Sequence, residues 1–468
     1  MAAKKTEKVE LVVLNKPGVL GRVVGHIRHE GWNIKRLIAD EDGNGETSSM
    51  EIDIEGTHAK LARVIDRILQ LDCVISISMI QDGEKTIHHR PQDVKNDAPL
   101  EAPVTQVPPK KTGALRVIAI NPGSQSTKYG LYEDETCLFT KKIRHDAYDL
   151  VKYSSILDQK DMRRDLLINS LKESGVDMNT IDAIAGRGGL IKPIESGVYP
   201  INDRMLEDLH TSAAARHASS LGAIIASEIA SSYGIPAYVV DPVVVDEMDR
   251  LAKLTGIPGV ERASAFHALN HKAMARRLAA ELGKPYENCR FIVAHLGGGI
   301  TVGAHRYGRV IDVNDGLAGE GPFSPERSGA VPLLPIIEMC FSGEYTRDEM
   351  MDKVTKKGGM RAYLGTSEDE DVQKMINEGD EFAALVMDSM AYQVSKQIGA
   401  MVAVLDGIVD AIILTGGLAY SNRFTGAIKQ KVDKLAPVHV YPGEDEILAL
   451  VSGVLRVLRG KERAAHYT

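Results

Sequence analysis

Along the first part of the chain, apolar and polar residues alternate in four short bursts, and between the bursts the apolar spacing lengthens to three and four. The bursts "VELVVL" (9–14), "WNIKRLIADE" (32–41), "SSMEIDIEG" (48–56) and "CVISISMI" (73–80) carry the period of strands. The stretches "NKPGVLGRVVGHIRHEG" (15–31) and "THAKLARVIDRILQL" (57–71) carry that of amphipathic helices. The resulting order, βαββαβ, predicts a ferredoxin-like α/β unit. Inside it, "DEDGNGETSSME" (40–51) meets every position of the calcium-loop pattern D-x-[DN]-x-[DN]-G-x5-E. Such a loop joins two helices, whereas "MEIDIEG" runs on with a period of two, so Gly43 to Gly45 reads as a hairpin tip.

From Gln81 to Gly113 the pattern dissolves into five prolines and many charges, the composition of a linker. Beyond it lies a large α/β region with an internal echo. "RVIAINPGSQSTKYGLYED" (116–134) and "RFIVAHLGGGITVGAHRYG" (290–308) each run from an apolar strand through a glycine turn into a second strand. "AIILTGGLAYSNRF" (411–424) ends a strand at Gly416 and Gly417 and enters a helix. Two such loops and one glycine-rich strand end predict two duplicated halves closing on a nucleotide.

A length of 468 residues calls for two or three domains. No apolar run reaches the roughly 18 residues of a membrane span, and the basic start has no apolar stretch behind it, so a cytoplasmic protein without a membrane partner is expected. Cys73, Cys137, Cys289 and Cys340 are too scattered for a disulfide framework or a zinc site. A net charge of −8 without a basic block argues against nucleic acid and for a small-molecule partner.

The stretch "INPGSQSTKYG" (120–130) has the composition of a phosphate cradle but departs from the P-loop, because Thr127 rather than glycine precedes Lys128 and the chain continues as a strand. On such a hairpin turn N–H groups and short hydroxyls must do the gripping. Gly123 lets the backbone approach, Ser124 and Ser126 supply hydroxyls, and Lys128 supplies charge.

"NPGSQSTK", "GRGG", "RHASSLG", "VVDPVVVDE", "FHALNH", "HLGGG", "GEGPFSPERSG", "LTGGLAYS" and "PGEDEILALV" follow in the order and rough spacing of the acetokinase family, which the chain resembles from about Leu115 onward, its butyrate-kinase branch in particular. The resemblance implies the two-domain fold shared by acetate kinase, sugar kinases, actin and the Hsp70 ATPase, each half on a mixed five-stranded sheet. It places domain boundaries at 1–82, a linker at 83–113, a first half at 114–241 to which 447–468 returns, and a second half at 242–446. Gly298 stands where acetate kinase carries asparagine, and Pro122 replaces a small residue, both in keeping with the butyrate type. "HLGGG" is also the look of a lipase oxyanion loop, but no GxSxG accompanies it.

The reaction implied brings two anions together, a carboxylate and ATP, so charge neutralisation and positioning dominate. By resemblance Arg187 and Arg327 bracket the phosphoryl group and the carboxylate, His267 donates to the phosphoryl group in flight, and His217 lies near the acid. His271, one helical turn from His267, is equally what a helix face provides. Asp241 is expected to orient the nucleophile or a metal-bound water, with Asp246 as its rival. Gly297, Gly298 and Gly299 offer bare N–H groups to a β-phosphate, with Gly416 and Gly417 also on the nucleotide. Magnesium, carried with ATP or ADP, is expected on Asn121 and on Glu446, with Glu444 as the alternative. Acetate or propionate as substrate is the rival within the family, and a non-catalytic nucleotide switch like actin the rival outside it.

The N-terminal unit resembles an ACT domain, "LNKPGVLGRVVGHIRHEGWNI" being similar to the regulatory subunit of acetolactate synthase. That implies a branched-chain amino acid effector held near Asn15 and Gly18, where a helix start presents N–H groups to an α-carboxylate. A homo-oligomer is expected.

Overall fold

The computed structural model describes residues 5–14, 32–41, 47–56, 74–81 and 84–89 of the N-terminal part with six helical positions between them, and residues 107–146, 149–150, 152–211 and 217–468. Asn15 and Gly18 lie outside the described residues. The chain divides into two compact units, residues 1–99 and 100–468.

The first unit is a five-stranded antiparallel sheet in the order β2-β3-β1-β4-β5, from β1 (Lys5–Leu14), β2 (Asn33–Glu41), β3 (Thr47–Gly56), β4 (Val74–Gln81) and β5 (Glu84–His89). Alternate residues Val9, Leu11 and Val13 of β1 and Met50, Ile52 and Ile54 of β3 are buried on one face, where the helical positions Val19, Val23 and Ile27, four apart, pack against them. Glu41 pairs with Ser48, so the calcium-loop look-alike spans a hairpin.

The strand β5 corrects the linker reading at 83–89. Gln81 pairs with Glu84, leaving only Asp82 and Gly83 between two strands, and Asp-Gly is a strong hairpin signal that the polar composition of "EKTIHH" masked. The linker reading also fails at its far end. Lys110 Nζ donates to Asp182 at 2.6 Å, and the guanidinium of buried Arg116 donates to the Pro108 carbonyl at 2.6 Å and to Glu133 at 3.0 Å, tying this segment to the second unit.

The second unit holds two sheets. One has the order β10-β11-β9-β6-β7-β8, from β6 (Arg116–Pro122), β7 (Ser126–Glu133), β8 (Thr136–Arg144), β9 (Ala183–Gly186), β10 (Val198–Pro200) and β11 (Ala237–Val240). The other has the order β14-β13-β12-β15-β16, from β12 (Arg290–Leu296), β13 (Ile300–Arg306), β14 (Arg309–Val313), β15 (Ala411–Gly416) and β16 (Val438–Pro442). Without the short β10 both read third-second-first-fourth-fifth, with an antiparallel meander followed by two parallel additions. The chain is therefore a duplication, although the first sheet has six strands rather than the expected five. The extra strand, only three residues long, pairs antiparallel with β11 and is too short to carry a period.

Both sheets are covered on both faces, which is why β6 and β12 are almost continuously apolar. Val117 and Ala119 of β6 face the helix Glu446–Leu458, and Ile118 and Ile120 face the helices Lys160–Glu173 and Ser220–Tyr233. In the second sheet Ile292 and Ala294 face the long helix Glu381–Val404, and Phe291 and Val293 face the helix Ala268–Glu281.

Candidate active site

In a sheet of this order the chain leaves the first and fourth strands in opposite senses, and a ligand site forms beyond their carboxyl ends. Asn121 lies near the end of β6 and Arg187 directly follows β9. Both reach the same group: Asn121 Nδ2 and Arg187 Nη1 each donate to the Glu446 carboxylate at the start of the last long helix. Arg187 is held by close packing, since Gly222 of the helix Ser220–Tyr233 lies so near that a Cβ there would stand 2.7 Å from the Arg187 backbone nitrogen. Its Nε is buried with no partner among the described residues.

The second sheet supplies the facing groups. His295 ends β12, its Nδ1 bonded to Asn270 Oδ1 at 2.9 Å and its Nε2 2.9 Å from Glu444 Oε1. Burial alone would raise the Glu444 carboxyl, but His295, Arg187 and Lys128 together hold it below the usual carboxylate range. A Cβ on Gly297 would meet both His295 and Glu444, so the glycine loop after β12 and the segment after β16 pack together at one end of the second sheet. Gly416, at the end of β15, exchanges backbone bonds of 3.2 and 3.0 Å with Gly443, and Gly417 follows it into a helical turn.

His267 sits at the N-terminus of the helix Ala268–Glu281 and stacks on His295 with ring centroids 3.7 Å apart. Burial, then the neighbouring imidazoles and the charges of Arg327 and Arg187, push its pKa well down, so it is neutral at pH 7. His217 is bonded through Nδ1 to Ser219 Oγ at 2.6 Å, and desolvation with the charges of Arg187 and Arg327 lowers it as well. Arg327 lies against the glycine loop: a Cβ on Gly299 would overlap its guanidinium, and Ser324 ties it in by donating to the Gly298 carbonyl at 2.6 Å and accepting from the Arg327 N–H at 3.2 Å. Like Arg187 it keeps a buried Nε without a partner, and burial lowers its pKa despite Glu326 and Asp315.

Asp241 stands apart. It is a non-glycine residue at a φ of +38°, and its carboxylate accepts from Ser196 Oγ at 2.6 Å, Gly197 N at 2.8 Å and Arg276 Nη1 at 3.2 Å. None of Arg187, Arg327, His217 or His267 is among these partners. Its rival Asp246 is paired with Lys253 at 2.6 Å. His271 is a core residue, fully buried and bonded to Thr301 and His305.

One residue that braces the candidate loop had no signal in the sequence. Arg163, fully buried on the helix Lys160–Glu173, donates to the carbonyls of Gly123 at 2.8 Å, Ser124 at 2.7 Å and Ser126 at 3.3 Å. The carbonyl and N–H of a trans peptide point in opposite directions. Drawing these carbonyls inward turns the Ser124 and Gln125 N–H groups outward at an exposed loop tip, with the half-buried Ser126 beside them. The backbone of this loop is thus set by an arginine. His295 and Arg163 were both missed; His295 at least lies within the quoted "HLGGG".

Residues 253–440 match the model of the acetokinase family, and residues 9–76 match that of the AHAS small subunit-like ACT domain. Among solved structures, acetate kinase from Porphyromonas gingivalis is 20% identical over 74% of this chain and 100% of its own, with a TM-score of 0.62. Acetate kinase from Entamoeba histolytica is 19% identical over 72% of this chain and 98% of its own, at 0.58. A propionate kinase from Francisella tularensis is 19% identical over the same shares, at 0.57. These likenesses show the fold: an ACT domain followed by the acetate-kinase-like, actin and Hsp70 type of paired sheets.

Proposed function

We propose that this chain, which carries an acetokinase family domain behind an ACT domain, is a carboxylate kinase that interconverts a short acyl phosphate plus ADP with the free acid plus ATP. The observation that carries this reading is the pair Arg187 and Arg327. Each is largely buried, each has a buried Nε without a partner among the described residues, and their fields overlap at His217 and His267. Buried donors without partners mark places where a ligand completes the bonding, and two guanidinium groups sharing one neighbourhood suit two anions.

In the forward direction a carboxylate oxygen attacks the γ-phosphorus, a new O–P bond forms, and the bond to the bridging oxygen breaks as ADP leaves. The acid is already ionised near neutral pH, so no general base is needed. Arg187 and Arg327 neutralise the incoming carboxylate and the equatorial oxygens, and neutral His267 donates a hydrogen bond to one of them. His217 lies on the acid's side. Asp241, fixed by Ser196, Gly197 and Arg276, acts at a distance by holding its strained strand end in place.

The donors fit magnesium arriving with the nucleotide. Asn121 and Glu446 offer one amide oxygen and one carboxylate, and no cluster of three or more potential ligands from His, Cys, Asp and Glu occurs among the described residues, so phosphate and water would complete the shell. When bound, the ion neutralises charge on the β- and γ-oxygens. Gly297 to Gly299, with Ser124, Ser126 and Lys128, contact the phosphates, and Gly416 and Gly417 border the nucleotide.

A butyrate-like or branched short acid is the substrate proposed, on the strength of Gly298 and Pro122. The similar structures are of an acetate and a propionate kinase by name, which favours a shorter acid as the second reading. Trapping the acyl phosphate as a hydroxamate across acids of two to five carbons decides between them. Arg327→Ala is expected to retain ATP binding while turnover falls roughly 10³-fold. No hydroxamate with any acid would overturn the reading in favour of a nucleotide-switched binding protein.

A further inference from the structure

Behind His267 a line of hydrogen-bonding side chains runs into the core of the second half. His267 Nδ1 lies 3.1 Å from Thr301 Oγ1, which lies 2.9 Å from His271 Nε2. His271 Nδ1 is 3.3 Å from His305 Nε2, and His305 Nδ1 is 2.7 Å from the Tyr286 hydroxyl. Thr301, His271 and His305 are completely buried and Tyr286 is 4% exposed. Burial leads the forces that keep His271 and His305 neutral, and the cations Lys272 and Arg276 close to His305 oppose any charge there.

His305 and His271, each neutral with one ring hydrogen, must donate at one nitrogen and accept at the other, so the three links from Tyr286 to Thr301 point the same way. Thr301 Oγ1 can accept from both His271 and His267, but its own hydrogen would then have no acceptor among the described residues, so the fourth link follows the others. Were they to run inward, His305 would donate to Tyr286, and the buried phenol hydrogen would have no acceptor among the described residues, a cost of about 1–3 kcal/mol. Run outward, Tyr286 donates to His305 Nδ1, His305 Nε2–H to His271 Nδ1, His271 Nε2–H to Thr301 Oγ1, and the Thr301 hydroxyl to His267 Nδ1. Every donor and acceptor is then satisfied, and the last ring is left with its proton on Nε2.

We propose that Tyr286, His305, His271 and Thr301 are positioning residues that lock His267 in the tautomer with Nε2–H free to donate to the transferring phosphoryl group. The proposal rests on the carboxylate-kinase reading for what His267 donates to, but the tautomer itself is read without any reaction. None of the four touches substrate. Their effect is exerted through the hydrogen they hand to Nδ1, as a buried partner fixes a catalytic imidazole elsewhere.

The test is imidazole nitrogen-15 NMR of the full-length chain labelled at histidine, with His267 assigned by its disappearance in His267→Gln. The expected spectrum near pH 7 shows a neutral ring protonated on Nε2; a ring protonated on Nδ1, or a charged one, would overturn the proposal. Thr301→Val is nearly isosteric and cuts the line at its last link. It should scramble the His267 tautomer and lower kcat roughly tenfold or more with KM little changed, the scale on which a wrong imidazole tautomer disables catalysis. Thr301→Ser should restore both. Tyr286→Phe, which removes only the terminal donor, should shift the tautomer in the same direction. Unaltered imidazole signals in both Thr301→Val and Tyr286→Phe would refute the line, and signals that change while kcat stays within about twofold would refute its role. A chain inactive on every acid would refute the kinase reading and leave the tautomer measurement standing.

Discussion

Replacing Arg163 by methionine separates the strength of the loop from the strength of the fold. Methionine fills similar space but removes all five N–H donors. Two of the bonds lost, to Gly123 and Ser124, are short and charge-assisted, at 2.8 and 2.7 Å, and bonds of that kind contribute about 1.5–3 kcal/mol each. Against them stands the cost of burying the charge without a carboxylate beside it. Burial alone lowers the Arg163 pKa from 12.5 to about 10, which corresponds to roughly 3 kcal/mol. The two effects largely offset one another, so the variant is expected to lose no more than about 3 kcal/mol of stability. Ligand binding has no such offset. Freed carbonyls let the peptides turn, and the Ser124 and Gln125 N–H groups no longer point outward, so ADP affinity should fall at least tenfold, or about 1.4 kcal/mol. Titration calorimetry with ADP, alongside denaturant unfolding of the same protein, measures both quantities. Unchanged ADP affinity in a strongly destabilised variant would show that Arg163 only braces the core.

Other outcomes follow from the same structure. His145, buried with its Nε2 2.8 Å from Thr127 Oγ1, is pushed down to about 4 by burial and by Arg163. Its free value of 6.5 lies above that, so the unfolded chain binds the extra proton: the stability is full above about pH 6.5 and is lost as pH falls towards 4, by at most roughly 3 kcal/mol. His145→Gln should flatten the pH dependence of unfolding over that window, and an unchanged slope would exclude His145 as its source. Removing the ligands of Asn121→Ala and Glu446→Ala together should raise the magnesium concentration needed for half-maximal activity more than it alters acid affinity, and activity indifferent to EDTA would end the metal assignment. For the ACT unit, valine, leucine or isoleucine should bind the full-length protein and shift substrate affinity several-fold, equivalent to about 1–3 kcal/mol of coupling. Asn15→Ala and Gly18→Asp should weaken that binding, and a flat calorimetric titration with all three amino acids would reassign the unit to subunit pairing.

Periodicity was a good guide wherever one face of an element is buried and the other is not, as in β1 and β3, whose alternation survives unchanged into the sheet. It was a poor guide to β5, whose polar residues belong to the ladder through backbone bonds that side-chain chemistry does not announce. The site shows the same division. Arg187 and Arg327 are marked by glycines and small neighbours that leave room for them. Arg163 is not, because "MRRD" contains two adjacent arginines and only the three-dimensional path decides that Arg163 is buried against a loop some 40 residues earlier while Arg164 pairs with Asp161, Asp165 and Glu228 at the surface. Asp241 shows what the sequence leaves out: a carboxylate at a strand end is visible there, but its partners Ser196, Gly197 and Arg276, which come from distant segments, are not.

The helix Glu446–Leu458 covers the face of β6 and β9 that Val117, Ala119, Ala183 and Ala185 present. In a chain emerging from the ribosome, those four residues appear first and their cover arrives more than 250 residues later. The first half therefore cannot finish its core as an autonomous domain, and during most of synthesis it exposes an apolar sheet face of the sort that recruits chaperones or aggregates. Closure of that face and assembly of the candidate site become one event, because the same helix brings Glu446 to Asn121 and Arg187 as it docks. A nascent chain halted before this helix would expose that face and lack Glu446 beside Asn121 and Arg187, so the candidate site forms only once synthesis has passed that point.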